Sequence, residues 1–241
     1  METPDRSLGL RLAVAAVLAV VLLVPFALLA ALIMGSWAPL HTLDLDVTDA
    51  LHGFSLGHPG WVEVMAVWSY AFDPNVWRVG AVVLVVWLVR RGAAPVAFWV
   101  VITMTVGGAL GAVLKLLVGR NRPDLLDPVA QATGFSFPSG HALNSALGAG
   151  VFLLVLLPFA QGRPGRRVTL WILVIAVPLV TGVCRVGLGV HWTSDVVAGW
   201  LLGVAVLAAT AAGFEAWRRR SGRRPVEVAD GGVAPEIASP A

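Results

Sequence analysis

The sequence predicts an all-α membrane protein with six transmembrane helices, and three observations lead there. Only 13% of its 241 residues are Asp, Glu, Lys or Arg, about half the share found in water-soluble domains. The apolar fraction of 58% lies in long uncharged runs rather than in the half-buried alternation of a soluble fold. Those runs have the length, about 20 residues, that a helix needs to cross a hydrocarbon layer of roughly 30 Å.

The first run spans Leu12 to Met34: no charge falls between Arg11 and Asp44, and Pro25 inside it is tolerable as a kink in lipid. The second, Pro74 to Val89, is short and carries Arg78. Before it, Trp61 to Phe72 is apolar but holds Glu63 and is bounded by Pro59 and Pro74, so it reads as an interfacial helix. A single kinked helix is the alternative for this stretch. The third span fills Gly92 to Leu114, and the fourth begins near His141 and ends near Pro158. The fifth lies between Arg167 and Arg185, and the sixth between Asp195 and Glu215. After Ser221 the chain is Gly, Pro and small residues without periodicity. Residues 218–241 are therefore expected to form a disordered cytoplasmic tail behind one transmembrane domain at 1–217.

Lys and Arg set the orientation, because loops rich in them stay in the cytoplasm. Twelve of the 17 cations fall near the two termini, at Arg90 and Arg91, and between Arg163 and Arg167. An even number of spans with both termini inside puts all twelve on one side. The connection after the first span is instead acidic, with Asp44, Asp46 and Asp49. Trp61, Trp77, Trp171, Trp192 and Trp217 fall near span ends, where an amphipathic indole sits well. A net charge of +3 is too small and scattered for a nucleic-acid footprint. The single cysteine, Cys184, excludes an internal disulfide and a Cys-rich metal site.

The five remaining cations are Arg78, Lys115, Arg120, Arg122 and Arg185. Four of them gather in two outer connections together with two histidines. KLLVGRNRP carries Lys115 and Arg122, and GFSFPSGHALNSALG carries Ser139, Gly140 and His141. CRVGLGVHWTSD carries Arg185, His191 and Asp195. Singly each has an ordinary reading: Lys115 snorkels, Arg122 is solvated, Ser139 caps a helix, and His191 with Asp195 is a structural pair at i, i+4. Together they describe an anion site with a nucleophile. Three cations and the amides of a helix start can hold phosphate oxygens, and Gly140 allows close backbone approach. A histidine oriented by a carboxylate can attack phosphorus through its far nitrogen, as His191 with Asp195 could. His141, beside the amides, could protonate the departing oxygen and then activate water.

The blocks K-x6-RP (Lys115 to Pro123), PSGH (Pro138 to His141) and R-x5-H-x3-D (Arg185 to Asp195) resemble the three signature blocks of the type 2 phosphatidic acid phosphatase (PAP2) superfamily. The resemblance covers residues 60 to 215. It implies a six-helix membrane fold with a helical core related to that of the haloperoxidases, and a bacterial membrane lipid phosphatase that needs no metal. No cofactor is expected, and the distribution of Lys and Arg puts the site on the extracytoplasmic face of the cell membrane. It implies His191 as the phosphohistidine-forming nucleophile, Asp195 as its partner and His141 as the acid. Lys115, Arg122, Ser139, Gly140 and Arg185 would surround the phosphate. One departure is visible: the third block commonly starts Ser-Arg, and here Cys184 precedes Arg185. Asp124 and Asp127 follow Pro123 in a loop without partners at ligand spacing, so they read as solvated carboxylates.

The expected substrate is a lipid phosphomonoester or a polyprenyl diphosphate: phosphatidic acid, phosphatidylglycerol phosphate or an undecaprenyl-type diphosphate. A phosphotransferase using the same phosphohistidine is the runner-up, and a non-catalytic transporter or anion-binding scaffold is the third reading. The sequence does not settle the oligomeric state.

Overall fold

The computed structural model describes residues 6–221 and two short segments, 228–229 and 232–233, which pair as antiparallel strands. Beyond these segments and the end of the last helix, the tail expected at 218–241 lies outside the described residues. The described chain folds into helices α1 (Arg6–Met34), α2 (Ala38–Leu56), α3 (Pro59–Ala71), α4 (Pro74–Arg90), α5 (Ala94–Val118), α6 (Gly140–Leu156), α7 (Pro164–Gly187) and α8 (Thr193–Arg220). A 3-10 turn at Leu157–Ala160 continues α6.

Six segments among the described residues are long and apolar enough to cross a membrane: Val14–Met34, Pro59–Arg90, Ala94–Val118, Gly140–Ala160, Pro164–Gly187 and Thr193–Arg218. Their outer surfaces are apolar; α1 alone exposes Val17, Val20, Val24 and Leu28. Lipid removes the hydrophobic drive between such helices, so close packing of small residues must hold them together.

Helix α6 is the centre of the bundle, with every residue from Ala142 to Val151 buried. Helices α4, α5, α7 and α8 surround it, and α1 lies along α8. Two glycines of α8 set its distance from α6. A Cβ on Gly199 would sit 2.7 Å from the carbonyl oxygen of Ser139, and one on Gly203 would sit 2.8 Å from that of Leu143. Backbone meets backbone there, which brings the first turns of the two helices side by side. Helix α4 packs on α6 through a side chain instead, with the Trp77 ring lying on Gly148.

The chain breaks at Phe72 and Asp73, as Pro74 requires. Asp73 caps α4 by accepting the Asn75 N–H at 2.8 Å. Helix α3 packs against the C-terminal half of α7, where Trp68 Nε1 donates to Thr181 Oγ1 at 3.0 Å. A separate helix does precede α4, although Pro59–Arg90 as a whole qualifies as one candidate crossing of 32 residues.

The acidic connection after the first span contains a helix that hydropathy did not reveal. In α2 the buried face is polar: Asp44, Thr48, His52 and Ser55 point inward, while Leu43, Leu45, Phe54 and Leu56 are exposed. Their spacing of four, four and three is helical, but the polarity is inverted relative to a soluble amphipathic helix. Val47 and Leu51 seat α2 on Ala142, Val186, Val196 and Trp200, over the first turns of α6 and α8.

Candidate active site

Each signature block sits at a helix end whose cap follows from its sequence. Helix α5 stops at Gly119, which takes φ +61° and donates its N–H to the Lys115 carbonyl at 3.0 Å. This leaves Lys115 in the last turn and starts the loop carrying Arg120 and Arg122. Helix α6 starts after Ser139, whose Oγ accepts the Ala142 N–H at 3.5 Å. The Ser139 N–H donates to the Asp195 carbonyl at 3.0 Å, so the second and third blocks are bonded directly. A side chain added at Gly140 would meet nothing within 4 Å, so this side of the first turn of α6 is open. Arg185 occupies the last turn of α7, where the negative end of the helix dipole favours a cation.

The loop 119–139 holds two cations. Lys115 Nζ donates to the Phe135 carbonyl at 2.7 Å. Arg122 donates through Nε to the Gly134 carbonyl at 2.9 Å and through Nη1 to that of Val190 at 2.6 Å. Arg122 Nη1 also lies 3.1 Å from His191 Nε2. A guanidinium has no acceptor, so Nε2 must present its lone pair and the proton must sit on Nδ1. Nδ1 faces Asp195 Oδ2 at 3.4 Å, within ion-pair reach but outside hydrogen-bond geometry. Asp195 Oδ2 accepts instead from the Trp192 N–H at 3.0 Å.

His191 is fully enclosed, and burial pushes its pKa down to about 3; Asp195 opposes the shift while Arg122 and Arg185 add to it. The imidazole is therefore neutral over the physiological range. Burial also holds the Arg122 guanidinium below its usual range, against the pull of Asp195. Arg185 is only 9% exposed and its Nε has no hydrogen-bond partner, which leaves a buried donor free for an anion.

His141 stands on the same first turn as Gly140, with Nε2 3.5 Å from Asp73 Oδ2. Asp73 is a site neighbour that the three sequence blocks do not contain. Its one sequence signal is the Asp-Pro start of a helix. Two further residues join the site only in three dimensions. Arg120 bridges Asp195 Oδ1 and Asp44 Oδ2, each at 2.7 Å, and lies 5.4 Å from the Trp192 ring centre. All eight residues expected at the site thus stand on adjoining helix ends and the loop between them. Two apolar cavities of about 280 Å³ lie near the other end of the bundle, sharing Trp99 and Phe214, and do not reach the histidines.

Known proteins share this chain's sequence and shape. It is 34% identical over 123 residues to an undecaprenyl-diphosphatase of Sulfolobus acidocaldarius, covering 48% of this chain and 54% of that protein. It is 38% identical over 98 residues to phosphatidylglycerophosphatase B of Bacillus subtilis, covering 39% and 46% respectively. The aligned region spans about half the length of these curated relatives. The crystal structure of a transmembrane PAP2 type phosphatidylglycerolphosphate phosphatase from Bacillus subtilis superposes with a TM-score of 0.72 at 26% identity, covering 83% of this chain and 96% of that one. The family model of the PAP2 superfamily matches residues 96–219, more than half of the chain and all three blocks. This protein belongs to the PAP2 superfamily.

Proposed function

We propose that this protein is a membrane lipid phosphatase acting on phosphatidylglycerol phosphate or undecaprenyl diphosphate through a phosphohistidine on His191. The observation that carries the reading is the tautomer of His191: its Nε2 lone pair faces the cation cluster, and its protonated Nδ1 faces Asp195. The substrates are those named for the relatives, and they share a terminal phosphate on a lipid.

In the first step Nε2 bonds to phosphorus while the bond from phosphorus to the lipid oxygen breaks. His141 gives its proton to that oxygen, and Asp195 stabilises the positive imidazole. Lys115, Arg122, Arg185 and the amides at Ser139 and Gly140 take the charge of the equatorial oxygens. In the second step His141 accepts a proton from water, whose oxygen bonds to phosphorus as the P–N bond breaks. Inorganic phosphate leaves and both histidines return to their starting states.

The site is placed on the extracytoplasmic face, with both termini cytoplasmic. Arg90, Arg91, Arg163, Arg166 and Arg167 support this, because all lie at the end of the bundle opposite the histidines. The test is phosphate release from phosphatidylglycerol phosphate, undecaprenyl diphosphate and phosphatidic acid in detergent, with His191→Ala beside the wild type. Release from one of the first two, abolished in a folded His191→Ala, is the expected result. Substantial turnover by that variant would overturn the nucleophile.

A further inference from the structure

Asp195 is held at both of its oxygens, and the hold leads away from the histidine to α2. Oδ2 accepts from Trp192 and faces His191, while Oδ1 accepts from Arg120 Nη1. The other terminal nitrogen of Arg120 donates to Asp44 Oδ2 at 2.7 Å. Asp44 also accepts the Ser194 N–H at 2.9 Å and the Ser194 hydroxyl at 2.5 Å, so it caps the start of α8 from another helix. Both carboxylates are fully buried, and Arg120 is 11% exposed.

One buried guanidinium between two buried carboxylates leaves an unbalanced negative charge, which burial alone disfavours. An Arg120–Asp195 pair without Asp44 would be neutral and would pin Asp195 equally well. It would also spend the negative charge of Asp195 on Arg120. With Asp44 present, the cluster keeps a net negative charge toward His191, the group within ion-pair distance of Asp195 that turns positive as its Nε2 bonds to phosphorus, while Arg122 sits against Nε2 on the other side of the ring.

We propose that Asp44 and Arg120 are positioning residues of this reaction: Arg120 fixes the Asp195 carboxylate, and Asp44 offsets the arginine's charge so that Asp195 keeps its own for the imidazolium. Helix α2 is then part of the catalytic apparatus. The inference rests on the phosphohistidine reading above.

The test measures kcat and KM of folded variants on the better of phosphatidylglycerol phosphate and undecaprenyl diphosphate. Asp44→Asn keeps the shape and removes the charge; it should lower kcat about tenfold with KM little changed. Asp44→Asn with Arg120→Gln restores the net charge and should recover about threefold over Asp44→Asn alone. A purely structural role makes the double variant worse than either single one, and that result overturns the proposal. So does a folded Asp44→Asn with kcat within about twofold of wild type. If gel filtration shows Asp44→Asn to be misfolded, Arg120→Lys decides, since an ammonium cannot bridge both carboxylates in the same plane. Loss of kcat at unchanged KM there supports the proposal, and full kcat overturns it. His191→Ala separates the two readings: turnover by that variant defeats the phosphohistidine itself, whereas an inactive His191→Ala beside a fully active Asp44→Asn defeats only the role of α2.

Discussion

Arg122 Nη1 stands 3.1 Å from His191 Nε2, so the nitrogen that would attack phosphorus faces a cation. Complete burial, with a smaller contribution from that neighbour, keeps His191 neutral, its pKa lowered from 6.5 to about 3. The unfolded chain takes up this proton at about pH 6.5 and the folded chain does not. The stability tied to a neutral His191 is therefore fully present above about pH 6.5 and is lost as the pH falls toward 3. Thermal unfolding in detergent should show a steeper fall of Tm on acidification for the wild type than for His191→Gln. Parallel curves would refute the burial of a neutral imidazole.

Asp73 Oδ2 lies 3.5 Å from His141 Nε2, and its other oxygen caps α4. Asp73→Asn keeps an acceptor for the cap while removing the charge that orients His141. It should lower kcat about tenfold, less than the 10²–10⁴-fold typical of losing a general acid outright. A phosphate ester with a good leaving group needs no protonation of the departing oxygen. On such a substrate the loss should shrink for both Asp73→Asn and His141→Ala; an equal loss on good and poor leaving groups would remove His141 from the acid role.

The approach of α8 to α6 at Gly199 is backbone against backbone, so no side chain can yield. Gly199→Val should force the helices apart at the turn that carries Asp195, costing about 1–3 kcal/mol. Gly213→Ala is the control, since a Cβ there meets nothing within 4 Å. Tm and activity should both fall in the first variant and neither in the second.

Gln131 and Thr133 are exposed in the loop that holds Arg122 through its carbonyls. A cysteine at either position should react with a membrane-impermeant maleimide added to intact cells. Cys184 is buried and should give little background. Labelling only after the cells are opened would invert the topology.

The three signature blocks could be read from the chain because their spacing is tied to local structure. Gly119 ends one helix four residues after Lys115, Ser139 begins another two residues before His141, and His191 and Asp195 share a face across one turn. Asp73, Arg120 and Asp44 obey no such local rule. Asp73 meets His141 from a different helix 68 positions earlier in the chain, and Asp44 reaches Ser194 across 150. Hydropathy also hid α2, because a helix whose buried face is Asp, Thr, His and Ser has the composition of a solvated loop.

Charge scarcity, span lengths and the positions of helix caps are properties of short stretches, and so the membrane class, the six candidate crossings and the three blocks that carry the eight candidate residues could be read from the chain. Only the packing of the helices brought Asp73 to His141, turned Arg122 toward His191 Nε2 and placed Arg120 between two buried acids. The reason is physical. A buried charge takes its partner from whatever the packing of distant helices brings within about 3–4 Å, and that packing is set here by glycines on α8 whose contacts lie on another helix.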